Sequence, residues 1–164
     1  MDGLEEVSVQ ELLAGYSRTL AELRRRGVVR TNNAPIGDYA EWLLAATLGG
    51  TVAESTSAKS FDVDLPDGAR VQVKARLIAN PPTAGQFQTS PFRSWDFDLA
   101  ALMLFRADNY APALAVLAPV ELVRMHAKWR AHVNGDVVFI RPPLTTAPGI
   151  QDITRRVATT AEST

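Results

Sequence analysis

The sequence predicts an α/β domain built on a central mixed β-sheet flanked by helices, in the order helix, strand, strand, strand, helix, strand after an N-terminal helix. Three observations carry this. Apolar residues recur at helical spacing through two early segments. From Phe61 the period changes to two across a tight turn. Phe97 to Phe105 and Ala111 to Ala118 are nearly continuous apolar runs, the pattern of strands covered on both faces.

The first helix is expected over about 8–26, where Ser8 and Glu11 form a capping box and Leu12, Leu13, Tyr16, Leu20 and Leu23 follow until Gly27. Asn33 and Pro35 signal a second start, and Ile36, Ala40, Leu43, Leu44, Thr47 and Leu48 form a stripe that ends at Gly49-Gly50. Two facing strands follow, Phe61 to Leu65 and Arg70 to Leu77, joined by Pro66-Asp67-Gly68 as a three-residue hairpin loop. Pairing Leu65 with Ala69 sets Asp62 opposite Gln72. Ala79 to Ser94, punctuated by Pro81, Pro82, Gly85 and Pro91, reads as a long irregular loop. Asp108 and Asn109 turn the chain between the two apolar runs. A third helix is expected from Pro119 through Met125 and Trp129 to about Val133, stopped by Asn134-Gly135. A short strand over Val137 to Ile140 and a weak last helix over about 150–159 complete the chain. One domain over 1–164 is expected, with its core at about 33–142.

Composition narrows the chemistry. A chain of 164 residues, 46% of them hydrophobic, can bury one real core but not two comfortable ones. The acidic start, Met1 to Glu6, lacks a basic region leading into an apolar run, and no stretch approaches a membrane span, so a cytoplasmic protein without membrane contact is expected. With no cysteine, disulfide partners, thiol catalysis and Cys-ligated zinc are excluded, and the two separated histidines, His126 and His132, argue against a His-rich metal site. A metal would therefore sit on oxygen ligands, which favours Mg²⁺ or Mn²⁺. The net charge of −1 offers no global attraction to nucleic acid, so any DNA contact must use local patches.

Strand alternation sets Asp62, Gln72 and Lys74 on one face of the hairpin and Val71 and Val73 on the other. The valines want a core and the polar set wants a cleft. Phosphodiester hydrolysis needs a cation to lower the pKa of the attacking water, and a fixed positive group beside the phosphate. A carboxylate, a second oxygen ligand and a lysine are of the right kinds.

Ser60-Phe61-Asp62-Val63 followed by Gly68-Ala69-Arg70-Val71-Gln72-Val73-Lys74-Ala75-Arg76 resembles motifs II and III of the PD-(D/E)xK nuclease superfamily, and Glu41 in Gly37-Asp38-Tyr39-Ala40-Glu41-Trp42-Leu43 resembles the helix carboxylate that precedes them. The likeness covers about 33–105. It implies a restriction-endonuclease-like fold and a Mg²⁺-dependent (or Mn²⁺-dependent) endonuclease acting on DNA, of restriction, repair or defence type. Asp62 would be the central metal ligand, Gln72 the second, the Val73 carbonyl a further one, and Lys74 the lysine on the phosphate side or orienting the water. Glu41 would hold the metal or its water. Many members are dimers, so a homodimer is among the implied partners. Two positions depart from the commonest pattern: Phe61 stands where the motif's name has Pro, and Gln72 where a carboxylate is commoner. As a neutral ligand, Gln binds a cation more weakly than Glu. The alternative is therefore a nuclease fold without turnover, serving in DNA binding or as an interaction subunit.

Around this set, Lys59, Arg76 and Arg93 are the candidates for DNA contact. Arg24, Arg25, Arg26 and Arg30 form a basic cluster that either touches a phosphate backbone or, as is commoner, is a solvated helix end complementing the dipole. Asp64 either shares the site or, as the favoured reading, is a cross-strand partner of Arg70; Asp38 reads as support for the start of the second helix; Asp96 and Asp98 either approach a second metal or, more in keeping with a strand edge, contact a neighbouring loop. Gln86, Phe87, Gln88, Phe92 and Trp95 either read or stack on bases or tie the loop to its own domain.

Overall fold

The computed structural model describes residues 3–26, 35–54 and 60–164. Its helices are α1 (Val9–Arg25), α2 (Ile36–Leu48), α3 (Val120–His126) and α4 (Thr154–Ser163). Its strands are β1 (Thr51–Val52), β2 (Val63–Asp64), β3 (Arg70–Ile78), β4 (Leu99–Arg106), β5 (Pro112–Pro119), β6 (Lys128–Arg130), β7 (Gly135–Val137) and β8 (Gln151–Asp152). Six strands form one mixed sheet in the order β1-β2-β3-β4-β5-β8, in which only β3 and β4 run parallel; β6 and β7 make a separate pair. The fold is thus α/β with a mixed central sheet. Among the described residues, no helix is long and apolar enough to cross a membrane.

The sheet separates two apolar layers. On one face, Tyr39, Ala40, Leu43 and Leu44 of α2 pack with Val157 and Ala161 of α4 against Val71, Val73, Ala101 and Met103. On the other, Val123 of α3, Val138, Ile140 and Phe92 cover Ala100, Leu102 and Leu104. All six residues Ala100 to Phe105 are buried, as the unbroken apolar run requires. The Ser8–Glu11 capping box closes the start of α1, and Gly49 ends α2 at φ 68°, in the left-handed region that lets the last turn close.

The hairpin takes the expected register. Leu65 N donates to the Ala69 carbonyl (2.9 Å), Val63 pairs with Val71 and Asp64 with Arg70, and Gly68 sits at φ 87°. The first arm is shorter than Phe61 to Leu65, because only Val63 and Asp64 hold ladder positions.

Other boundaries differ. The third helix stops at His126 rather than near Val133: Ala127 is extended, and β6 pairs with β7 across a turn where Asn134 has φ 49°. Asn134 therefore closes a 3-10 turn (Ala131–Val133) between β6 and β7 and does not stop the third helix. Met125 and Trp129, which resemble an apolar stripe, are 79% and 60% exposed. The strand expected at Val137 to Ile140 begins earlier, at Gly135; beyond Val137 the chain bonds to the long loop through Thr89 N to the Val138 carbonyl and Ile140 N to the Phe87 carbonyl. The last helix runs later than 150–159, after β8 has paired with β5. Ile153, Val157 and Ala161 join the α2 layer, so the core extends past residue 142.

Candidate functional site

β2 pairs with β3 only as far as Val71, so on that side the β3 edge from Gln72 onward has no strand beside it among the described residues. Asp62, just ahead of β2, occupies that opening. Its Oδ2 accepts from the Gln72 amide at 2.6 Å and from Val73 N–H at 2.7 Å. Both bonds fall on one oxygen, leaving Oδ1 for a cation or water. A strand residue turns its N–H and C=O to the same edge, so the Val73 carbonyl faces the side on which Asp62 lies.

Lys74, next on the same face, bonds through Nζ to Ser90 Oγ (3.1 Å) and the Pro91 carbonyl (3.0 Å), with the ammonium 4.8 Å from the Phe92 ring centroid. The long loop thereby fixes the lysine. No signal in the sequence joins Lys74 to Ser90 and Pro91, since the loop between them is irregular. Its crossing is tied down in turn by bridges from Gln88 to Phe139 and from Phe92 to Asp136.

The site's electrostatics are those of charges held out of water near one another. Burial is the largest influence on Glu41, followed by the charges of Asp62 and then Asp38, and its carboxyl rises from 4.5 to about 7. Asp62 is also raised, again by burial, with the Val73 N–H and the Lys74 charge opposing. Lys74 is lowered by burial, against the pull of Asp62 and with the push of Arg93. Asp62 thus acts on both Glu41 and Lys74, and Gln72 touches Asp62 directly.

Among the described residues, no group of three or more His, Asp or Glu side chains gathers to hold a metal. The oxygen donors that fit Mg²⁺ or Mn²⁺ here are two carboxylates, the Gln72 amide and the Val73 carbonyl. This hard set, built on two acids that are both raised by burial, Glu41 also by the charge of Asp62, suits a cation with most of its ligands from water.

The remaining residues divide. Arg93 reaches the Asn134 carbonyl. Arg76 Nε meets the Gln86 carbonyl at 3.4 Å and lines a cavity whose wall does not include Asp62 or Glu41. Lys59, Arg30 and Asn33 lie outside the described residues. Asp64 is the cross-strand partner of Arg70 in register, but the Arg70 guanidinium reaches Asp96 (3.1 Å) and Asp98 (3.4 Å), and its backbone N–H bonds Asp98 Oδ2 at 2.8 Å. Those two acids pin the start of β3 to the start of β4. Phe92 stacks on Trp95 and Phe97, and Trp95 faces Arg124, so these aromatics anchor the loop. Gln86 accepts from Ala79 N and Thr83 N, bracing the same loop. Arg25 and Arg26 pair with Glu22, while His126 Nδ1 contacts the Leu122 carbonyl.

No family model matches the chain, and no curated protein matches it either.

Proposed function

We propose that this chain is a metal-dependent endonuclease hydrolysing DNA phosphodiester bonds, with a restriction-endonuclease-like core. The observation that carries the reading is the 2.6 Å contact of Gln72 with Asp62 across the hairpin, with Glu41 and Lys74 coupled electrostatically to the same carboxylate. The β2–β3 hairpin between α2 and a parallel β4 supports the reading; the helix expected after the strands, α3, follows β5, and the stretch from β3 to β4 carries only a 3-10 turn (Ala84–Phe87).

Asp62, Gln72, the Val73 carbonyl and Glu41 would hold Mg²⁺ or Mn²⁺, which supplies charge neutralisation and a more acidic bound water. The residues do the rest. Lys74, kept from swinging by Ser90, Pro91 and Phe92, offers a fixed positive charge to a phosphate oxygen. Glu41, raised toward neutrality, is suited to accept or return a proton near pH 7. The alternative of a fold that binds DNA without turnover has one observation in its favour: the Gln72 amide already satisfies Asp62 Oδ2 without any cation.

The test is cleavage of supercoiled plasmid and short linear DNA with Mg²⁺ or Mn²⁺, comparing wild type with Asp62→Ala and Lys74→Ala. The expected loss in each variant is at least about 100-fold. Equal cutting by the variants would remove the site, and binding of DNA without cutting by the wild type would select the alternative.

A further inference from the structure

A cavity of about 840 Å³ opens at the far end of β3, away from Asp62, between α1, the strand's open edge and the start of the 79–94 loop. Its wall carries four guanidiniums, Arg18 and Arg24 from α1, Arg76 from β3 and Arg106 from the end of β4, against one carboxylate, Asp108. The chain as a whole carries a charge of −1, so this concentration of positive charge is local. Arg25 and Arg26 pair with Glu22, and Arg70 with Asp96 and Asp98; none of these residues lines the cavity. Arg18, Arg76 and Arg106 have no carboxylate partner among the described residues. Guanidinium groups stay protonated at every physiological pH, and cations that outnumber the carboxylates of a concave, partly apolar site focus a field that attracts an anion.

The geometry also limits what the anion is attached to. Beside the arginines, Leu20 and Ile36 supply an apolar wall, and Leu77 continues it along the strand. The volume falls within the roughly 300–1,000 Å³ of small-molecule sites. Because Val73 N–H turns toward Asp62, strand alternation turns the N–H groups of Ala75 and Leu77 to the same open edge. A ligand with a phosphate for the guanidinium forks and a flat, weakly polar body for the apolar wall matches both halves.

We infer that this cavity binds a nucleoside phosphate, either a free nucleotide or the phosphorylated end of a nucleic-acid strand, with Arg18, Arg76 and Arg106 taking the phosphate. The site is separate from the acid pair at Asp62 and does not depend on cleavage.

Isothermal titration of the full chain would use adenosine, adenosine monophosphate, and a hexanucleotide with and without a 5′-phosphate. Arg18→Ala/Arg106→Ala removes two guanidiniums that stand at the surface, and its circular dichroism and unfolding midpoint should match wild type; Arg18→Lys/Arg106→Lys keeps charge but loses the fork. Wild type should bind the phosphorylated probe at least about tenfold more tightly than its unphosphorylated twin. The alanine variant should erase that preference, the lysine variant should fall between, and Asp62→Ala should leave it intact. Binding of adenosine monophosphate assigns a free nucleotide; binding of the phosphorylated hexanucleotide alone assigns a strand end. Absence of any phosphate preference, or its persistence in the alanine variant, would overturn the inference.

Discussion

Glu41 lies where burial and the Asp62 charge both oppose its ionisation, and its carboxyl is raised from 4.5 to about 7. In the folded protein it therefore binds a proton more tightly than in the unfolded chain. For such a group the stabilising contribution is complete below about pH 4.5 and is lost as pH rises through the window from 4.5 to about 7. With allowance for partial solvent screening, the loss should be about 1–2 kcal/mol. Urea midpoints in chelator should show wild type weakening from pH 5 to pH 8 more than Glu41→Gln does; parallel pH profiles would mean that Glu41 feels no such environment. Gln72 bears on the same charge balance. Its amide gives Asp62 a donor without adding a negative charge, which on the proposed reading would lower the affinity for a cation. Replacing it by Glu should tighten Mn²⁺ binding by about tenfold and lower stability in chelator, because a second carboxylate then faces Asp62. A titration in which Gln72→Glu binds Mn²⁺ no better than wild type would exclude residue 72 from the cation's ligands.

Among the elements, the junction of α2 with the β1–β2 ribbon decides whether Glu41 and Asp62 share a site. Gly50 follows the left-handed Gly49, and a Cβ built there would meet the Asp64 carbonyl at 2.7 Å and a Val63 methyl at 3.0 Å. Gly50→Ala must therefore push β2 from the end of α2, at about 1–3 kcal/mol, and carry Asp62 away from Glu41. Thermal unfolding and the Glu41 titration should change together; an unaltered midpoint would show that the contact relaxes freely. The hairpin of β2 and β3 was legible in the sequence because turn chemistry and a period of two agree on one register. Strands β1 and β8, two residues each, hold no period to read. The third helix was overextended because Met125 and Trp129 fall at helical spacing, although they face solvent and the backbone is satisfied by the β6–β7 ladder. At the site, the polar face of β3 was readable by alternation, whereas the anchors of Lys74 come from an irregular loop whose path no local pattern determines.

Across the whole molecule, stability is distributed unevenly. β4 runs through the middle of the sheet between β3 and β5, with Ala100 to Phe105 all buried. α1, at 17 residues one of the two longest helix-or-strand contributors to the cavity wall, has no buried residue; Val9 and Leu13 pack against the core only partly, and Leu12 and Tyr16 are 39% and 38% exposed. Its capping box and the Glu22 pairs with Arg25 and Arg26 are local bonds that hold the helix together without holding it to the sheet. Surface pairs of that kind contribute little, and segments with few buried apolar contacts open without global unfolding. Native-state hydrogen exchange should therefore find α1 amides at least about 100-fold less protected than those of β4. A phosphate-bearing ligand bridging Arg18 of α1 to Arg76 and Arg106 of the sheet should raise protection in α1 while leaving β4 nearly unchanged, since the ligand ties the loosely attached helix to a part that already opens only with the whole. Equal protection of α1 and β4 in the free protein would instead make the helix part of one cooperative unit with the sheet, and the cavity between them a rigid one.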